Sequence, residues 1–273
     1  MVRITSPQAV RFPSRAVREH YRRTDVLHFP QVVREILGRK HPRVDALLLK
    51  RDELLTTKTG VGGRPLILID VHYRPEHEIR EDATPYTSFA NAIQRSGVLT
   101  DMTSVLDLGC ATGRLLEALR EMPNTQQIRE FTGVDIFGYH GSSEFFPAEA
   151  VRFAQADLRF PIETQDKEIS PADLVICAEV GEHIDPASLD MFLDNLVRLT
   201  QKRLVLTWSR TYPPKGAPPQ HVSPLRRRQV YRLMNAYGFQ IDKNYTRRLT
   251  GELKREKGAP SWWREGLSVW SGK

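Results

Sequence analysis

A chain of 273 residues with 40% hydrophobic and 27% charged side chains has room for one large α/β domain with an extension, and its composition excludes a disordered or fibrous polymer. No apolar run approaches the ~18 residues that cross a bilayer, and Met1 to Arg23 is broken by Arg and Pro instead of holding a signal-like stretch, so a cytoplasmic location is expected. The net charge of +7 divides unevenly, with +7 on residues 1–60, −12 on 61–201 and +12 on 202–273. A positive field of that kind suits an anionic partner, and packing between the segments explains it equally well.

Residues 1–63 read as a largely helical, basic extension, with Val32, Val33, Ile36 and Leu37 on one amphipathic face. Gly60, Gly62, Gly63, Arg64 and Pro65 form a loop, and the β-rich run Leu66 to Tyr73 opens a second domain, 64–273, whose core is 86–271. From Tyr86 onward strands and helices alternate, the pattern of a parallel sheet with helices on both faces. Strands are expected at Val105–Leu108, Phe131–Val134, Val151–Ala154, Leu174–Cys177 and Leu204–Trp208, with a closing pair at Phe239–Tyr245 and Leu267–Trp270. Leu115, Leu116, Leu119 and Met122 share one helix face. Asp185 with Pro186 reads as the start of a helix that buries Leu189, Phe192, Leu193, Leu196 and Val197. Ser223 with Pro224 reads as another start, ahead of Val230, Leu233, Met234 and Tyr237, with Gly238 at the end and Arg226, Arg227 and Arg228 outward. Cys110 and Cys177 fall in apolar runs, which suits reduced core thiols and argues against a structural zinc site.

Chemistry concentrates first in Val105 to Gly113, an apolar strand running through Asp107 into the small turn Gly109, Cys110, Ala111, Thr112, Gly113 and then a helix. Two glycines permit close approach and unusual dihedrals, while the helix start offers free N–H groups to a carboxylate or phosphate. The spacing does not match G-x-G-x-x-G. Asp135, followed by Ile136, and Asp157, followed by Leu158, close the next two strands. A carboxylate so placed accepts the two hydroxyls of a ribose.

In this order the residues resemble motif I and its successors in the class I methyltransferases of the small-molecule type. The resemblance implies a Rossmann-like, mostly parallel seven-stranded sheet with the seventh strand antiparallel, and S-adenosylmethionine as cofactor. It further implies that Asp107, Gly109, Cys110, Ala111, Gly113, Asp135, Ile136, Asp157, Leu158 and Glu179 line the cofactor, with Asp157 toward the adenine amino group. Ala172 to Val180 resembles the family's fourth strand, and Glu179, Val180, Gly181, Glu182, His183 is similar to the Glu-x-x-Glu-His sequence of many members.

That sequence admits three readings. Glu182 and His183 orient the loop, or His183 is a general base that takes a hydroxyl proton. In the third, Glu179, Glu182 and His183, with His221 from Pro218 to Ser223, hold Mg²⁺ or Mn²⁺, as in ubiquinone-biosynthesis and small-RNA 2′-O-methyltransferases that the sequence resembles. The resulting expectation is S-adenosylmethionine-dependent O-methylation of a small, anionic acceptor. Two alternatives stay open. One is an RNA- or DNA-modifying or capping enzyme, which the basic ends and Trp262, Trp263 and Trp270 among Lys254, Arg255, Lys257 and Arg264 would suit. The other is a catalytically silent, cofactor-binding scaffold.

Overall fold

The computed structural model describes residues 10–11, 59–60, 64–67, 84–136, 151–162, 169–186, 188–210 and 221–272. It divides into two compact units, 1–73 and 74–273. In the first, β1 (Val10–Arg11), β2 (Thr59–Gly60) and β3 (Arg64–Ile67) form an antiparallel sheet in the order β1-β3-β2. The amphipathic stretch expected at Val32 to Leu37 lies outside the described residues.

The second unit is built on a seven-stranded sheet. In chain order its elements are α1 (Thr84–Ser96), β4 (Ser104–Leu108), α2 (Arg114–Glu121), β5 (Glu130–Asp135), β6 (Arg152–Gln155) and β7 (Ala172–Cys177). A 3₁₀ turn (Gly181–His183) then leads to α3 (Leu189–Leu199), β8 (Thr200–Leu206), α4 (Arg227–Ala236), β9 (Gln240–Ile241), α5 (Lys243–Arg255), α6 (Ser261–Gly266) and β10 (Ser268–Ser271). The strand order is β6-β5-β4-β7-β8-β10-β9. Parallel pairing runs from β6 to β8, and β10 lies antiparallel to both neighbours. This is the expected Rossmann-like sheet with its antiparallel seventh strand.

Alternation along the strands sorts the core. Val105, Leu174, Ile176, Val205 and Val269 join Phe89 and Ile93 of α1, Leu115, Leu116 and Leu119 of α2, and Leu249 and Leu253 of α5 in one buried cluster. Elsewhere, Phe192 of α3 packs edge-on to Trp208 at 5.9 Å between ring centroids, and Tyr231 of α4 packs against Trp270 at 5.1 Å. Trp263 stands 4.9 Å from Phe89 and Trp270 is fully buried. These two tryptophans are core residues, not the stacking surface that the nucleic-acid alternative would use. Both cysteines are free and buried, as expected.

Three element starts differ from the sequence reading. The expected strand Phe239–Tyr245 stops at Ile241, because the Asp242 carboxylate accepts the Tyr245 N–H at 2.9 Å and starts α5. Ser188, not Asp185, directly precedes α3: the Asp185 carbonyl accepts the Ser188 N–H at 3.0 Å in the turn that leads into the helix. Ser223 and Pro224 likewise precede α4 without capping it, since the Arg226 N–H is taken by Gln229 Oε1 at 2.9 Å. The outward placement of Arg226, Arg227 and Arg228 is borne out. Trp208 falls beyond β8 instead of ending it.

Candidate active site

Strand order brings the carboxyl ends of β6, β5, β4 and β7 side by side, with the order reversing between β4 and β7. In open α/β sheets ligands settle in the crevice at such a switch point. Asp107, the Gly109–Gly113 turn, Asp135, Ile136, Asp157, Leu158 and Glu179 all stand at or just beyond these ends.

The turn after β4 is tightly specified. Gly109, Ala111 and Gly113 have φ of 79°, 48° and 73°, a region that costs a residue with a Cβ. The Gly109 and Cys110 N–H groups both donate to the Val134 carbonyl, at 2.7 and 3.1 Å, and fasten the turn to β5. Asp135 reinforces it, its Oδ2 accepting the Ala111 N–H at 2.8 Å. A Cβ on Gly109 would lie 2.3 Å from Val180 Cγ2, so the bare backbone there also admits the loop after β7. Asp107 is buried, and desolvation, with the Asp135 carboxylate next in weight, pushes its pKa up to about 8.

Asp157 is 3% exposed, and its two oxygens receive Arg159 Nε at 2.9 and 3.1 Å and Arg159 Nη2 at 2.8 Å. The carboxylate is thus neutralised by a fork-shaped partner two residues on. The Leu158 carbonyl accepts Asn195 Nδ2 at 2.9 Å, which anchors the segment to α3.

Beyond β7, Glu179 has φ of 56° and its N–H donates to Thr207 Oγ1 at 2.9 Å. The next residues wind into the 3₁₀ turn, where a Cβ on Gly181 would lie 2.5 Å from the Trp208 ring. The Glu182 carbonyl accepts the Val222 and Ser223 N–H groups, each at 2.8 Å. Trp208 Nε1 donates to the Ser223 carbonyl at 2.8 Å. These bonds draw the segment around His221 over the turn, and the His183 and His221 rings stand edge to face at 4.9 Å.

Glu182, His183 and His221 each offer a ligand atom within 4.8 Å of the others. Glu182 is fully buried, and neither carboxylate oxygen completes a hydrogen bond. Burial first, and the Glu179 carboxylate second, raise its pKa well above the usual carboxylate range, while the nearby Ser209 N–H opposes that rise in part. Glu179 has its own buried, unbonded Oε1, yet it stands outside the three-residue group. A buried carboxyl beside two imidazoles suits a divalent cation.

Arg159, Thr207, Trp208 and Val180 shape the site although no sequence motif marked them. Thr112, inside the turn that the sequence marked, has a buried hydroxyl without a hydrogen-bond partner.

A family model described as a methyltransferase domain matches residues 76–244. The chain belongs to that family of methyltransferase domains. Its architecture is that of the class I, Rossmann-like members, which depend on S-adenosylmethionine. Solved structures similar to it include the methyltransferase domain of bacterial CtHen1, 18% identical with TM-score 0.44, over 68% of this chain and 99% of that one. The N-methyltransferase NodS from Bradyrhizobium japonicum WM9, in complex with S-adenosyl-L-homocysteine, is 15% identical with TM-score 0.49, over 72% and 96%. A SAM-dependent methyltransferase from Aquifex aeolicus is 15% identical with TM-score 0.49, over 73% and 98%. No curated protein matches the chain. Among the described residues, no helix is long and apolar enough to cross a membrane.

Proposed function

We propose that the domain, residues 64–273 with its core at 86–271, transfers the methyl group of S-adenosylmethionine to a hydroxyl oxygen of a small acceptor held at Glu182, His183 and His221. The observation that carries this reading is the fully buried Glu182 carboxylate, which has no hydrogen-bond partner and stands beside two histidines. Burial disfavours the ionised carboxylate, and a cation bound beside it would restore that form. Mg²⁺ or Mn²⁺ held by Glu182, His183 and His221, with Glu179 adjoining, would act as a Lewis acid that makes the acceptor hydroxyl more acidic.

The remaining work falls to this chain's own groups. The turn from Gly109 to Gly113 takes the methionine end of the cofactor against bare backbone and the open start of α2. Asp107 faces its ammonium, Asp135 its ribose, and the segment Asp157–Leu158 its adenine. If no cation is held there, His183, exposed at the mouth, is the group that would receive the proton the hydroxyl loses. The activated methyl comes with the cofactor, so the protein supplies alignment and a dry site.

Two measurements test this together: binding of Mn²⁺ by calorimetry, and incorporation of labelled methyl into a metabolite pool with and without chelator. Mn²⁺ binding lost in both His183→Ala and His221→Ala, with chelator-sensitive transfer, is the expected result. Transfer that survives chelator but falls about 10²- to 10⁴-fold in His183→Ala would leave His183 as a base without a cation. Binding of S-adenosylmethionine with no methyl transfer to any pool would leave the silent, cofactor-binding scaffold.

A further inference from the structure

A concavity is walled in part by Trp208. Its volume is about 380 Å³, and Trp208, Arg210, Arg226, Arg227, Arg228 and Tyr231 are among its walls. That size falls in the range of pockets for small ligands, but the lining is unusual in bringing four guanidinium-bearing residues together. Glu265, also on the wall, pairs with Arg210 at 2.8 Å. Arg227 is held in place, its Nε donating to Tyr231 Oη at 2.8 Å and its guanidinium 5.2 Å from the Tyr231 ring centroid. Arg226 and Arg228 are exposed and make no ion pair among the described residues. One carboxylate therefore stands against four cations. The Arg226 N–H is already taken by Gln229, so the positive character comes from side chains and not from a bare helix end.

The cavity is tied to the transfer site. Trp208 forms its wall, presses on Gly181 and donates to the Ser223 carbonyl, while Ser223 in turn donates to the Glu182 carbonyl. Only five residues separate His221 from Arg226, so their Cα atoms are at most about 18 Å apart. An acceptor that joins the histidines to the arginines has to pass beside Trp208.

We propose that this arginine cavity is a subsite for a phosphate group carried by the acceptor, whose methyl-accepting hydroxyl lies at Glu182, His183 and His221. The planar, permanently charged fork of arginine matches the oxygens of a phosphate two at a time. A concavity of this size, open to solvent, holds the terminal phosphate of a small ester, whereas a polymer backbone would need a continuous basic track. The assignment rests on the proposed transfer site, because it identifies the same acceptor by its other end.

The test uses the full chain and follows the arginine Nε–Hε resonances by NMR during titration with inorganic phosphate and, separately, with glycerol 3-phosphate. Saturable shifts at Arg226, Arg227 and Arg228 are expected, with affinity reduced at least about tenfold in the R226Q/R228Q double variant and an unchanged melting temperature. Absence of saturable shifts, or equal affinity in the double variant, overturns the subsite. Much tighter binding of a single-stranded oligoribonucleotide, with a steep salt dependence, overturns the small-ester assignment in favour of a nucleic acid. The titration needs neither cofactor nor turnover, so its failure is separate from any failure of the transfer reading.

Discussion

Replacing Asp107 by Asn probes the cofactor site through a proton. Asp107 is 3% exposed, and its burial, helped by Asp135, raises its pKa to about 8. At pH 7 the free protein then holds this carboxyl protonated in a ratio of about ten to one. A ligand whose ammonium faces Asp107 favours the ionised form, so binding must expel the proton. Affinity for S-adenosylmethionine should consequently rise about tenfold per pH unit between pH 6 and 7.5, each step being worth roughly 1.4 kcal/mol. Close to one proton should leave per cofactor bound at pH 7. Calorimetry in two buffers of different ionisation enthalpy counts that proton directly. In Asp107→Asn the slope and the released proton should both vanish, and below pH 6 the two proteins should bind the cofactor about equally well. The same shift has a consequence for folding. The folded state holds the proton more tightly than the unfolded one, so this group's contribution to stability is full below about pH 4 and is lost as pH rises towards about 8. Flat affinity between pH 6 and 7.5 with no proton release would remove Asp107 from the cofactor's ammonium.

Asp135→Ala should weaken cofactor binding by about 1.5 to 3 kcal/mol, and Asp135→Asn by less, since an amide oxygen can still accept the Ala111 N–H; calorimetry on the folded variants decides. Gly109→Ala places a Cβ 2.3 Å from Val180 Cγ2 at a φ of 79°, so a loss of about 1 to 3 kcal/mol in stability is expected. Part of that loss should return in the Gly109→Ala/Val180→Ala double variant, and a double-mutant cycle in urea measures the coupling. Glu182→Gln should abolish Mn²⁺ binding while leaving the melting temperature about equal, because burial and Glu179 already favour the neutral carboxyl, which the amide resembles in shape and charge. Asp173 is pushed up by burial, but the Thr103 N–H and hydroxyl at 2.8 Å and Lys202 at 3.0 Å outweigh this and lower its pKa. Its stabilisation is therefore present above the unfolded pKa and lost as pH falls through the lower folded value. Asp173→Asn should cost about 1 to 3 kcal/mol at pH 7 and converge with the parent protein in acid unfolding curves.

Patterns that are local in the chain were legible in its sequence. Val105 to Gly113 names a strand, a tight turn and a helix because apolar alternation and glycine placement act over a few residues. The acids at 107, 135 and 157 were visible for the same reason, each being the last polar group of an apolar run. Local patterns also misled. The apolar positions from Phe239 to Tyr245 fit a strand, but Asp242 caps a helix in their midst, and the spacing of Leu249 and Leu253 was the signal that would have shown it.

The remaining features arise between segments far apart in sequence. That Val180 fills the space above Gly109 depends on how the loops after β4 and β7 meet. His183 and His221 are 38 residues apart in the chain. They meet because the Glu182 carbonyl receives two N–H groups from the later segment and Trp208 fastens its far side. Residue types proposed the chemistry of that cluster, but burial left Glu182 without a hydrogen bond, and only the tertiary structure decides what is buried.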